Sequence, residues 1–201
     1  VSADAPLGWR AEALRKALHA GTAVLPVAWA QGWIDTASLR ALLSAAAVAA
    51  LAVESLRSRP GVVRRAFTQA LAPLLRAHEA RRLTGATWLA LAMCAVAWLV
   101  PGHAATAALW AAAVGDASAA VVGRAAAARG LAVAGRKSWA GSVAALTTTA
   151  AGVWWLTPAA PLVAVALGAV AAAAERPRGP VDDNLRIALA VAAAATALGL
   201  R

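Results

Sequence analysis

What most constrains this chain is the length and purity of its apolar runs. Seven follow one another, approximately from Ala17 to Ile34, Ala37 to Val53, Thr84 to Val100, Ala104 to Val122, Trp139 to Leu156, Pro161 to Ala174 and Leu185 to Leu200. A hydrocarbon core of about 30 Å needs roughly 20 apolar residues as helix, with a range of about 17–25; the first and sixth runs are short for that purpose. A helix of a soluble bundle carries a polar stripe, and these runs have almost none. The expectation is an all-α, polytopic transmembrane bundle of about seven spanning helices. Charged residues make up 14% of the chain, against roughly 25% in a soluble domain, which points the same way. Alanine dominates, so the helices are expected to pack closely through small faces.

Charge then orients the bundle. The formal net charge is +10. In a soluble protein this would suggest nucleic acid; in a chain this apolar it reads as a basic membrane face, with no nucleic-acid partner. With the N-terminus in the cytoplasm, of the 19 Lys and Arg only Arg40 and Arg201 fall on the far side. The turns on that side, Gln31 to Asp35, Pro101 to His103 and Thr157 to Ala160, are short and nearly neutral. The positive-inside rule therefore selects an orientation with the N-terminus in the cytoplasm, and the Ala- and Arg-rich composition points to a GC-rich bacterial genome and so to the inner (cytoplasmic) membrane. No secretory signal is evident. The lone Cys94 has no partner for an intramolecular disulfide and reads as a small buried side chain.

Between Pro60 and His78, Phe67, Leu71, Leu74 and Leu75 share one helical face, with Arg64, Arg65 and Arg76 elsewhere. That pattern suits a helix lying in the cytoplasmic interface as an anchor. Neither a repeat period nor a linker divides the chain, so residues 1–201 read as one domain.

The acids are more informative than the bases. Glu12, Glu54, Glu79, Asp116, Glu175, Asp182 and Asp183 all lie at the cytoplasmic face or in segments entering it. Orientation alone has little use for them, since Asp and Glu contribute little to topology. Carboxylates mixed with Arg and Lys suit a magnesium–polyphosphate site. Asp116 stands out because it lies inside an apolar run, where a charge costs about 3 kcal/mol on insertion scales. Such a residue faces the protein interior or a wet cavity. Asp116, Ala119 and Gly123 share a face, and small side chains there let a helix or a ligand approach the backbone.

The segment GDASAAVVGRAAAARGLAVAGRKSWAGSVA resembles the CTP-binding motif of the CTP-dependent lipid alcohol kinases, the dolichol kinase, phytol kinase and diacylglycerol kinase-like family related to phosphatidate cytidylyltransferases. The matching positions are Asp116, Ala119, Gly123, Ala127, the basic pair Arg136 and Lys137, then Ser138, Gly141, Ser142 and Ala144. Three further blocks are similar to those of the family: Glu12, Arg15, Lys16 and His19; Glu79, Arg82 and Gly85; and Glu175, Asp182, Asp183 and Asn184. The blocks cover nearly the whole chain. The sequence departs from the pattern at Ala127, where Gly is usual, at Ser138 and Ser142, where Thr is common, and at Ala140, where the family has Glu.

The resemblance implies transfer of the terminal phosphate of CTP to a membrane lipid alcohol, with Mg2+ as cofactor. It implies magnesium held by Asp116, with Asp183 and Glu175 as further carboxylates, and phosphates bound by Arg136, Lys137 and the start of the next helix at Ser138, Gly141 and Ser142. Arg15, Lys16, Arg82, Glu79, Asn184 and Gly123 would complete the nucleotide site. Asp182, Asp183 or His19 would take the hydroxyl proton, and Trp139 could stack on the base. The rival readings are a cytidylyltransferase, whose Asp-Arg-x-x-Asp signature is not found, and a non-catalytic membrane protein. A CDP-alcohol phosphotransferase lacks support because its spaced run of Asp is absent. The lipid alcohol and the oligomeric state are left open.

Overall fold

Alanine gives up no side-chain entropy in a helix, and a chain this rich in it forms helices wherever a cap or proline does not intervene. The computed structural model describes residues 9–58, 61–71, 82–132, 137–176 and 181–201, which are helices and short connections with no strand among them. In chain order the helices are α1 (Trp9–Gly21), α2 (Val24–Ala30), α3 (Thr36–Ser58), α4 (Val62–Leu71), α5 (Gly85–Leu99), α6 (Gly102–Trp110), a π-helical turn (Ala111–Gly115), α7 (Asp116–Ala128), α8 (Trp139–Leu156), α9 (Pro161–Glu175) and α10 (Asp183–Ala197).

Two helices are long and apolar enough to cross a membrane, α3 and the continuous α6–π–α7 helix, Gly102–Ala128. α5 and α9 are apolar but shorter. Of the seven expected spans, two therefore fall on helices with the length and apolarity to cross a membrane; the others fall on helices that do not meet both conditions. The first is broken. At Thr22 the backbone N–H bonds His19 O at 3.1 Å and the hydroxyl bonds it at 2.7 Å, closing a turn. Pro26, which has no N–H to give, is tolerated in the first turn of the new helix α2. Of the segment from Pro60 to His78 expected to be helical, Val62–Leu71 forms α4; residues 72–78 lie outside the described residues.

The α6–π–α7 helix is the pillar of the bundle. From Ala104 to Ala113 nearly every side chain is fully buried, against α8 and α10. α8 packs on α7 and α9, α10 on α5, α6 and α9, and α3 on α5. Backbones approach closely where glycine allows it. A Cβ on Gly152 would fall 1.9 Å from the Trp110 ring, whose Nε1 donates to Thr148 O at 3.0 Å.

Contacts between helix ends show the alternation of the chain. At one end Arg40 Nε donates to Ala97 O, and His103 N to Arg201 O. At the other, Glu54 accepts from Thr84 N and Thr87 Oγ1, both at 2.8 Å, joining the end of α3 to the start of α5. Lys137, before α8, meets the end of α9 and the start of α10 at that same end.

Candidate active site

The site begins with a backbone irregularity that the sequence does not announce. The pillar widens to a π turn over Ala111–Gly115, immediately before Asp116. π turns recur at functional sites because they leave backbone groups outside the regular helical ladder. Here the carbonyl of Ala112 lies 2.7 Å from His19 Nε2. A carbonyl only accepts, so Nε2 carries the hydrogen. The same Nε2 is 3.8 Å from Asp116 Oδ2.

Asp116 is 5% exposed and is paired with the Lys16 ammonium, itself nearly buried. Both α1 residues lie four or fewer positions apart on a helix, so Lys16 and His19 present one face to the π turn. Burying this acid without its partner would cost several kcal/mol, so the pair accounts for a charge inside an apolar helix. Lys137, expected beside Asp116, is instead 2.7 Å from Glu175 Oε1 and 2.7 Å from Asp183 Oδ2. Asp183 also takes Arg186 through Oδ1. Burial would lower the Lys137 ammonium, but its bonds to Asp183 and Glu175 outweigh this and raise it.

Asp182 caps α10, its Oδ1 accepting from Asn184 N at 2.9 Å. Burial pushes the Asp182 carboxyl up, and the charges of Asp183 and Asp116 add to the shift. Asn184 is buried; its Nδ2 donates to Gly85 O at 3.1 Å, while its Oδ1 has no hydrogen-bond partner. A buried acceptor among carboxylates is a place where a cation would be welcome.

These groups meet in one cavity of about 390 Å³. Its polar wall holds Arg15, Lys16, His19, Asp116, Asp182, Asp183 and Asn184. Its apolar wall is supplied by α1, α2, α3 and α5, through residues such as Leu18, Leu25, Leu43, Leu89 and Met93. Nothing in the spacing of those leucines distinguishes them from core, which is why sequence reasoning passed over them. The π turn and Arg186 were missed as well.

Several expected site residues lie elsewhere. Ser138 caps α8, its Oγ accepting from Gly141 N at 3.0 Å, and the Ser142 hydroxyl donates to Ser138 O at 3.3 Å. A Cβ on Gly123 would fall 2.9 Å from Ser138 Oγ, and one on Gly141 2.7 Å from Ala119 O. The small face of the motif is thus filled by α8 against α7: these glycines serve helix packing, and the cap has taken one N–H that an anion would have used. Glu175 is buried against Lys137 and does not line the cavity. Arg82 is exposed, and its carbonyl accepts from Arg57. The Trp139 ring has the Arg176 guanidinium 4.0 Å from its centroid. Arg136 and Glu79 lie outside the described residues. Among the described residues no group of three or more His, Cys, Asp and Glu is placed to hold a metal; the oxygen donors that share the cavity are Asp116, Asp182, Asp183 and Asn184.

Comparison of the chain with protein-family models, with curated proteins and with solved structures finds no match. The likeness to the lipid alcohol kinases stands on the spaced residues alone.

Proposed function

We propose that this chain is an integral membrane kinase that moves the terminal phosphate of CTP to the hydroxyl of a lipid alcohol at its basic face. The observation that carries the reading is the single cavity in which Asp116, Lys16, Arg15, Asp182, Asp183 and Asn184 converge beside an apolar wall. Cationic side chains suit phosphate oxygens, and hydrocarbon suits a lipid tail. Membrane placement is supported by α3, in which only 17% of the apolar window is buried, with Leu42, Val48 and Leu56 about half or more exposed. The core helix of a soluble protein would hide such a face. Exposed Trp33, Trp98, Trp154 and Trp155 toward one end, and Trp9 and Trp139 toward the other, suit two interfacial belts. The basic residues at the Glu54 and Asp183 end suit a cytoplasmic placement of that end.

Magnesium takes one or two carboxylates with water and phosphate: Asp116 would hold it, with the unpartnered Asn184 Oδ1 beside it, whereas Asp183, expected as a second ligand, has both oxygens engaged by Lys137 and Arg186. Bound there, it would neutralise charge on the transferring phosphoryl group. Lys16 and Arg15 would hold phosphate oxygens, in place of the Ser138 helix start. Asp182 is the better general base, because both oxygens of Asp183 already meet cations and the Asp182 carboxyl is pushed toward the range where it takes a proton. The lipid O–H proton passes to Asp182, its oxygen bonds the γ-phosphorus, and the bond to the β-phosphate oxygen breaks to release CDP. His19, tied to Ala112 O, positions the π turn and Asp116.

The test is incubation of the purified protein in lipid nanodiscs with CTP, Mg2+ and a panel of lipid alcohols. A phosphorylated alcohol with CDP is the expected result. Pyrophosphate and a CDP-lipid from phosphatidic acid would mark a cytidylyltransferase; no nucleotide turnover with any acceptor would remove the enzymatic reading.

A further inference from the structure

We infer that the lipid reaches the cavity sideways, through a gap between α1 and α3 whose rim is Leu18 and Ala46. This rests on the kinase reading for the identity of the lipid, but its geometry is independent of that reading. α1 packs on α7 and the π turn, whereas α3 packs on α5; the two helices make no extensive contact with each other, yet both line the cavity. Leu18 is 61% exposed and Ala46 is exposed as well, while Leu43 and Met93, deeper in the same wall, are each 2% exposed. The cavity therefore has an open apolar rim and a closed apolar floor. Ala46 lies seven residues inside the end of its apolar run at Val53, about 10 Å along the helix at 1.5 Å per residue, and Leu18 lies at the edge of the first run. The opening thus extends from the edge of the apolar belt to about 10 Å within it, toward hydrocarbon. From Gly85 to Met93 the α5 wall extends about 12 Å on the same rise, running from the carboxylates to the floor. A lipid with its hydroxyl at Asp182 and its first chain segment along Leu89 and Met93 fits that run. A nucleotide would come from the polar end at Asp182–Asn184.

Photolabelling tests this without any turnover. The full chain in nanodiscs is irradiated with a diazirine-bearing isoprenoid alcohol, and adducts are mapped by mass spectrometry. Labelling is expected within residues 18–25 of α1 and α2 and 43–46 of α3. Ala46→Trp and, separately, Leu18→Trp should each cut labelling of Leu43 by about tenfold or more, the range by which shape changes in an apolar pocket discriminate ligands. Val48→Trp, on the outer face of α3 where the parent side chain is 67% exposed, should not. Adducts confined to α8 and α9, or an equal effect of all three substitutions, would overturn the portal. Labelling at the portal with no phosphoryl transfer from CTP would leave the portal standing and remove the kinase. Transfer with labelling elsewhere would do the reverse.

Discussion

Lys16 and Asp116 show how much one ion pair decides. Removing Lys16 alone leaves a buried acid without its cation, and Lys16→Met should cost about 3–5 kcal/mol of stability. Adding Asp116→Asn to that variant should restore most of the loss, since the orphaned charge is gone, while activity stays absent. Thermal unfolding of the single and double variants in one detergent separates the two roles; a double variant no more stable than Lys16→Met would contradict the pairing. A second buried group behaves differently. Thr149 is fully buried and its Oγ1 has no hydrogen-bond partner. Thr149→Val should be neutral or stabilising, because it removes an unsatisfied hydroxyl at similar shape. Asp116 was legible in the sequence because a charge in an apolar run is conspicuous. Its partner was not: Arg136 and Lys137 are adjacent in the motif, whereas Lys16 is a hundred residues away and is brought in by the packing of α1 on the pillar.

At the scale of elements, the α7–α8 contact depends on glycine at the crossing. Gly141→Ala would place a Cβ 2.7 Å from the Ala119 carbonyl, and a backbone atom cannot rotate away. A loss of about 1–3 kcal/mol is expected, as for other overpacked sites, with melting temperature as the readout. The Lys137–Glu175–Asp183 cluster ties the start of α8 to α9 and α10. The ammonium of Lys137 is raised in the fold, so its contribution is fully present below its unfolded value near 10.4 and is lost as pH rises through the higher folded value. The stability gap between wild type and Lys137→Met should therefore stay constant from about pH 7 to 10 and close only above that. A gap that closes near neutral pH would contradict the cluster. Helix positions were legible because the long apolar runs mark them; the caps that bound them, such as Ser138 and Asp182, emerge only from the structure. The break at Thr22 and the π turn were not, since both arise from local hydrogen bonding that hydropathy does not encode.

For the whole molecule, the uneven helices matter more than their number. α3 and the 27-residue pillar have the length and apolarity of spans, and the shorter helices lean on them. Sequence reading caught the all-α class through the absence of polar stripes. It placed the basic and acidic residues at one end, and the contacts of Glu54, Lys137 and Asp183 gather there. It left open whether the motif's small face serves a helix or a ligand, because it suits both equally well; the glycines are taken up by packing. The central claim is that Asp116, held by Lys16 in the polar wall of the cavity, organises phosphoryl transfer from CTP. The most direct measurement is the rate at which γ-labelled CTP phosphorylates a lipid alcohol, for wild type and for Asp116→Asn brought to equal folded fraction. The account predicts a measurable wild-type rate and a loss of about a hundredfold or more in the variant, the scale of removing one preorganised charge from a reacting centre; transfer by Asp116→Asn at the wild-type rate would contradict it.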